Sequence, residues 1–251
     1  MKTKPLGHKN YGSIAHLPKS RMGPGDHKCD EGQERIACQK ARDKHDRIIV
    51  QEKLDGSNVG VARLDDILYP LTRAGYVANT SPYKMHHIFH NWVFENMERF
   101  MAVLKNGERL CGEWLLVAHG TIYDLHHEPF VVFDIMEKHH KRMPYDEFCR
   151  RIDMGTFIKP HLISDGSPLS VDEAMKRLNV YGFHGATEPA EGVVWRVERN
   201  VLNDKNKGNV AGRHYEVDFL VKYVRPDKVD GKYLDGEVIY NKYIKQDQPW
   251  K

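Results

Sequence analysis

The residues in this chain best suited to chemistry are Glu52-Lys53-Leu54-Asp55-Gly56-Ser57-Asn58. They lie between two strand-like runs, Arg47-Ile48-Ile49-Val50 and Val59-Gly60-Val61-Ala62. A lysine at a strand end followed by Asp-Gly reads as a tight hairpin turn with an amine at its mouth. That amine becomes a nucleophile once burial or neighbouring cations lower its pKa enough to free the lone pair. The same residues also suit a solvated turn with an incidental lysine, because a four-residue pattern recurs by chance.

Other candidates interrupt runs that should be buried. Glu113 interrupts Leu110 to Leu116, Asp134 interrupts Val131 to Met136, Glu191 opens Gly192-Val193-Val194, and Lys222 interrupts Phe219 to Val224. Taken singly, each fits the water-facing side of a strand, whose period of two sends alternate side chains outward. Their order after Lys53 is more specific than any one of them.

These residues need a framework, and the hydrophobic pattern supplies one. Ser81-Pro82 reads as an N-cap and first-turn proline for a helix whose apolar residues, from Met85 through Phe89 and Val93 to Leu104, recur at three- and four-residue steps. Asn106-Gly107 closes it. Weaker helical patterns span Asp30 to about His45 and Pro144 to Ile152, and Ser170-Val171-Asp172-Glu173 is a capping box for a helix through Leu178. Further strands are expected at Ile67 to Thr72, Arg109 to Leu116, Phe130 to Met136, Gly192 to Val197 and Asp218 to Val224. Strands and helices do not alternate regularly, so the fold class is α+β with mainly antiparallel sheets. The chain divides into an N-terminal lead-in and helix over 1–46, a central domain over 47–225 and a short polar tail over 226–251.

Composition sets bounds. A chain of 251 residues, 40% hydrophobic and 29% charged, can bury a core and is not disordered. A net charge of +3 neither demands nor forbids nucleic acid. The four cysteines form no CxxC pair, and the fifteen histidines lack zinc-site spacing. No apolar run is long enough to span a membrane, no signal-peptide core follows Met1, and a reducing cytoplasm is the expected compartment.

With these residues in order, the chain resembles the ATP-dependent RNA ligases of the nick-sealing, bacteriophage-type branch, within the covalent nucleotidyltransferases that share Lys-x-Asp-Gly. Glu52 to Asn58 resembles the nucleophile motif, and Thr72-Arg73-Ala74-Gly75 the arginine element after it. Gly112-Glu113-Trp114-Leu115, Phe133-Asp134-Ile135, Glu191-Gly192-Val193-Val194 and Val221-Lys222-Tyr223-Val224 resemble the later motifs. Tyr11 to Pro18 looks familial with less specificity.

The resemblance implies an adenylyltransferase domain built around a nucleotide cleft. Lys53 would take AMP from ATP, its pKa lowered by Lys222 and bound Mg²⁺ or Mn²⁺. Glu113 would bind ribose, Phe133 would stack on adenine and Glu52 would accept from its amine. Asn58 and Arg73 would hold phosphate beside Asp55 and Gly56, and Asp134 and Glu191 would organise the metal. AMP would pass to an RNA 5′-phosphate, and a 3′-hydroxyl would displace it, on a nicked duplex in a bacterial or phage-infected cell.

Two departures stand out. Val224 occupies the place of a second motif lysine, with Arg225 next to it, and the tail is too short for an oligonucleotide-binding barrel. Sealing would then call on a partner protein or on the terminal segments. Two alternatives remain: a small DNA ligase or GTP-using capping enzyme, and a non-catalytic nucleotide- or nucleic-acid-binding module.

Overall fold

Strand and helix propensities play out over the described residues, 3–137, 139–201, 214–234 and 236–244 of a computed structural model. The first elements are β1 (Ala15–His16), α1 (Glu31–Cys38), β2 (Asp46–Lys53), β3 (Ser57–Leu64) and β4 (Ile67–Thr72). Next come α2 (Lys84–Glu95), α3 (Met97–Val103), β5 (Glu108–Trp114), β6 (Asp124–Leu125), β7 (Phe130–Glu137) and β8 (Lys141–Arg142). The rest are α4 (Tyr145–Met154), β9 (Leu162–Gly166), α5 (Val171–Leu178), β10 (Gly192–Asn200), β11 (Tyr215–Val224) and β12 (Lys242–Tyr243).

The class is α+β. One five-stranded sheet runs β1-β11-β10-β2-β9 and the other β4-β3-β5-β7-β8, antiparallel throughout except that β1 joins β11 in parallel. Helices cover each sheet on the side away from its partner. Ile36, Ala37, Ala174 and Leu178 of α1 and α5 pack with Ile48, Val50, Val193 and Trp195 of the first sheet. Phe89, Val93, Phe100, Phe148 and Ile152 of α2, α3 and α4 pack with Val59, Leu110 and Phe130 of the second. Apolar burial on those outer faces leaves the inner faces to meet across a cleft.

The caps at Asp30 and Ser170 form. The Asp30 side chain accepts from the Gln33 amide while Gln33 reaches back, and the Ser170 hydroxyl accepts from the Glu173 amide. The long helix expected from Ser81 to Leu104 is instead two. Its first cap is Tyr83, and Asn96 breaks it, donating from its side chain to the Trp92 carbonyl at 2.8 Å. An asparagine amide that satisfies the preceding turn's carbonyl competes with the backbone ladder and lets the axis change direction. The apolar stripe survives because both segments bury the same side into one core.

The larger difference lies at Lys53. Leu54-Asp55-Gly56 is no hairpin, since β2 and β3 belong to different sheets. Ser57 pairs with Trp114 of β5, so the link carries the chain across the cleft from one sheet to the other. Gly56 suits the crossing, because a Cβ there would lie 2.6 Å from the Trp114 carbonyl oxygen.

Candidate active site

The sheet-to-sheet crossing puts Lys53 at the edge of a cleft of about 620 Å³ whose walls are the two inner faces. On the first sheet, Lys53 of β2 lies opposite Gly192 of β10, and Gln51, Val194 and Lys222 lie in line across three strands. Lys53 and Gln51 are two residues apart and share a face, so Lys53 and Lys222 both point into the cleft. Glu191 immediately precedes β10 and reaches Lys53 Nζ at 2.6 Å. On the second sheet, Asn58 and Glu113 are directly opposed cross-strand partners. A register shift at Cys111/Gly112 leaves Phe133 as the extra residue between Val132 and Asp134. A bulge of that kind re-aims a side chain, and both Phe133 and Asp134 reach the cleft. Arg73, in the turn after β4, also lines it, as do Glu52, Asp55 and Gly56.

In the chain alone the Lys53 pKa is raised, not lowered. Burial works to lower it, but the carboxylates of Glu191 and then Glu113 outweigh burial, and the Lys53 ammonium is held above its ordinary range. Lys222 itself is lowered, by burial first and then by the Lys53 cation. In this state the amine is a stored cation with its carboxylate beside it. Burial pushes the Glu113 carboxyl up to about 7 against the pull of Lys53, and the Gly56 amide donates to its Oε1 at 3.1 Å.

Asp134, expected at the metal, sits in a buried ionic group. It is fully buried, and Tyr11 Oη donates to its Oδ2 at 2.6 Å. Arg142 Nε reaches the same oxygen at 3.1 Å, while Arg196 pairs with Oδ1. Two guanidiniums and a phenol thus engage three of the carboxylate's four or so lone-pair sites. Among the described residues no group of three or more His, Cys, Asp or Glu side chains could hold a metal. Mg²⁺ retains waters and leans on substrate phosphates rather than on a cage of protein ligands. ATP fits better. The cleft offers cationic Lys53, Lys222 and Arg73, and the Asn58 Oδ1 and Glu52 Oε1 acceptors are buried without partners.

Glu52 carries a prediction. It is 2% exposed, and the Phe183 amide donates to its Oε2 at 2.9 Å. Burial pushes its carboxyl from 4.5 up to about 7, with the Phe183 amide opposing. The folded chain therefore binds a proton that the unfolded chain releases, and this stabilisation is complete below pH 4.5 and lost as pH rises through about 7. Glu52→Gln should flatten the fall in thermal stability between pH 5 and 8 and gain up to roughly 3 kcal/mol at the alkaline end. Melting curves that stay parallel across that range would rule it out.

Some participants carry no clear sequence signal. Lys228, in the stretch read as a polar tail, is buried and pairs with Asp55 at 2.6 Å, and the Gly120 amide donates to the same Asp55 oxygen at 2.8 Å. No local pattern marks a lysine destined for burial by contacts so distant in sequence. Arg196 is different, since it interrupts Gly192 to Val197 just as Glu113 interrupts its own strand. Arg225, next to Val224, is held on the approach to β10. Its guanidinium donates to the Ala190 and Pro189 carbonyls at 2.9 and 3.0 Å, steadying the approach to Glu191.

A family model described as RNA ligase matches residues 46–224, most of the chain. An uncharacterized protein of Methanocaldococcus jannaschii is 25% identical over 154 residues, which are 56% of this chain and 37% of that protein. The structure of a Naegleria gruberi RNA ligase mutant without ligand superposes with a TM-score of 0.51 at 16% identity, covering 88% of this chain and 58% of that one. A second mutant of that ligase, solved with ATP and Mn, gives 0.50 at 16% identity over 87% and 58% of the two chains. This chain thus spans well under two thirds of each of these proteins, and at such identities the structural likeness speaks for the fold. The match over residues 46–224 is what assigns the chain, which belongs to the RNA ligase family.

Proposed function

We propose that this chain is an ATP-dependent polynucleotide ligase acting on RNA, through a lysyl-AMP intermediate on Lys53. The observation that carries the reading is the 2.6 Å pair between Lys53 Nζ and Glu191 in a cleft that Glu113, Phe133 and Lys222 also line. When ATP binds, its phosphates bring negative charge that competes for the cations, and Glu191 is placed to take the proton that Lys53 must lose. The freed lone pair forms the nitrogen–phosphorus bond at the α-phosphate as the bond to the bridging oxygen breaks and pyrophosphate leaves. Lys222 would neutralise the charge gathering on the α-phosphate oxygens.

Phe133 would stack on adenine, Glu52 would accept from its amine with the unpartnered Oε1, and Glu113 would bind the ribose hydroxyls. Asn58 and Arg73 would hold phosphate, with Asp55 and Gly56 shaping the crossing behind them. Magnesium or manganese, carried on the phosphates with Glu191 at hand, would supply further neutralisation. An RNA 5′-phosphate oxygen then attacks the α-phosphorus and returns the amine, and a 3′-hydroxyl displaces AMP to close the strand.

Intact-mass measurement after incubation with ATP or GTP and Mg²⁺, followed by sealing assays on nicked RNA, DNA and hybrid duplexes, tests the reading. An adenylate adduct with ATP and closure of nicked RNA are expected. No adduct, or a guanylate in its place, would sink it.

A further inference from the structure

Lys222 is also held from the N-terminal segment. β1 pairs with β11 so that His16 stands opposite Lys222. From there the chain arches over the end of β11 and returns. The Leu17 amide donates to the Lys222 carbonyl at 2.8 Å, the Arg21 amide to the Val224 carbonyl at 2.9 Å, and the Cys29 amide back to the His16 carbonyl at 2.9 Å. The loop is therefore stitched to the strand that carries the lysine and closed on itself at His16.

The arch delivers a carboxylate. Asp26 Oδ1 lies 3.7 Å from Lys222 Nζ. Its other oxygen accepts from the Gly23 amide at 3.0 Å and stands 3.0 Å from His16 Nε2, off the hydrogen-bond axis. The His16 ring is buried, and its Nδ1 lies 2.7 Å from Ser20 Oγ. Ser20 Oγ also accepts from the Val224 amide at 2.9 Å and donates to the Arg21 carbonyl at 3.4 Å, which ties the His16 ring to the end of β11.

The line Ser20, His16, Asp26 has the composition of a hydrolase triad but not its wiring. Nδ1 faces the serine and Nε2 the aspartate, the reverse of a working triad, and none of the three residues lines the cleft. What the line does face is Lys222. Asp26 stays anionic: burial works against its charge, but the Gly23 amide and then Lys222 hold its carboxyl below the usual range. Burial and Lys222 keep His16 neutral.

We propose that Asp26, set in place by His16 and Ser20, is a positioning residue for Lys222, aiming its ammonium into the cleft and offsetting its repulsion from Lys53 until a phosphate arrives. The inference rests on the reading of Lys222 as the lysine that neutralises the α-phosphate. Binding of ATP draws also on Lys53, Arg73, Asn58 and Glu52, so loss of Asp26 falls more on the step than on the affinity.

The test is single-turnover adenylylation of the full chain, followed by intact mass at varied ATP, for Asp26→Asn alone and in a Lys222→Met background. Asp26→Asn is expected to slow the step at saturating ATP about tenfold, with the half-saturating ATP concentration moving less than about threefold. Asp26→Glu should restore part of the rate. In the Lys222→Met background, Asp26→Asn should cost nothing further, because the group it positions is gone. An equal loss in both backgrounds, or no loss in the first, overturns the proposal.

A second readout does not need turnover. In reductively methylated protein, the Lys222 methyl resonance, assigned by its absence from Lys222→Arg, should titrate roughly one pH unit lower in Asp26→Asn than in the native chain. An unchanged titration overturns the pairing. If the native chain takes up no adenylate, the ligase reading fails, and this titration alone decides whether Asp26 governs Lys222.

Discussion

Lys53→Ala leaves no covalent adenylate on the chain, and labelling from ATP falls by at least roughly 10³-fold, to the floor of the measurement. Two physical reasons combine. The substitution removes the only atom proposed to bond the α-phosphorus, and it deprives Glu191 of the cation it meets at 2.6 Å. The second effect could lower activity by disturbing the cleft, so Lys53→Arg is the sharper variant. Arginine keeps a cation for Glu191 to pair with, but its guanidinium is never free of its proton under working conditions and makes a poor nucleophile. Lys53→Arg should melt near the native temperature, and neither variant should carry AMP, as measured by intact mass and by label surviving denaturation. Label retained on either would place the nucleophile elsewhere and end the lysyl-AMP assignment.

Asp134→Ala is expected to destabilise the fold by about 4 kcal/mol, since removing one member of a buried ionic group leaves its partners uncompensated. Here the partners are Arg196, 2% exposed, and Arg142, with Tyr11 closing the group. For a chain of this length that corresponds to a fall of roughly 10 °C in melting temperature. Metal-free buffer should give the same loss as buffer with Mg²⁺, which separates this ionic role from metal ligation. A variant that melts within about 2 °C of the native chain without metal, yet loses metal-dependent activity, would return Asp134 to the metal. The group also ties three parts of the molecule together, namely the N-terminal segment through Tyr11, β7 through Asp134 and β10 through Arg196, so both sheets should feel its loss.

Much of the candidate site can be read along the chain, because several of its residues announce themselves locally. Glu113, Asp134, Glu191 and Lys222 are polar where the strand pattern calls for apolar residues, and Lys53 sits at a strand end beside Asp-Gly. Strand period and cap chemistry act over a few residues, so the local pattern set where β5, β7, β10 and α5 form and where α1 starts, though α1 ends at Cys38 and not near His45. Folding decided what those positions meet. Leu54-Asp55-Gly56 has the chemistry of a hairpin and makes a crossing between sheets, because Ser57 finds Trp114 and not a residue of β2. Lys53 is held above its ordinary pKa because Glu191 and Glu113, both distant in sequence, outweigh burial. Asp134 becomes the anchor of two arginines. Lys228 and Asp26, which no local pattern singles out, become the partners of Asp55 and Lys222. Coulomb energy depends on separation in space and on burial, neither of which a spacing along the chain contains. The sequence by itself therefore determined which groups are present and on which kind of element, and only the tertiary structure decided their charge, their pairing and which of them is free to act.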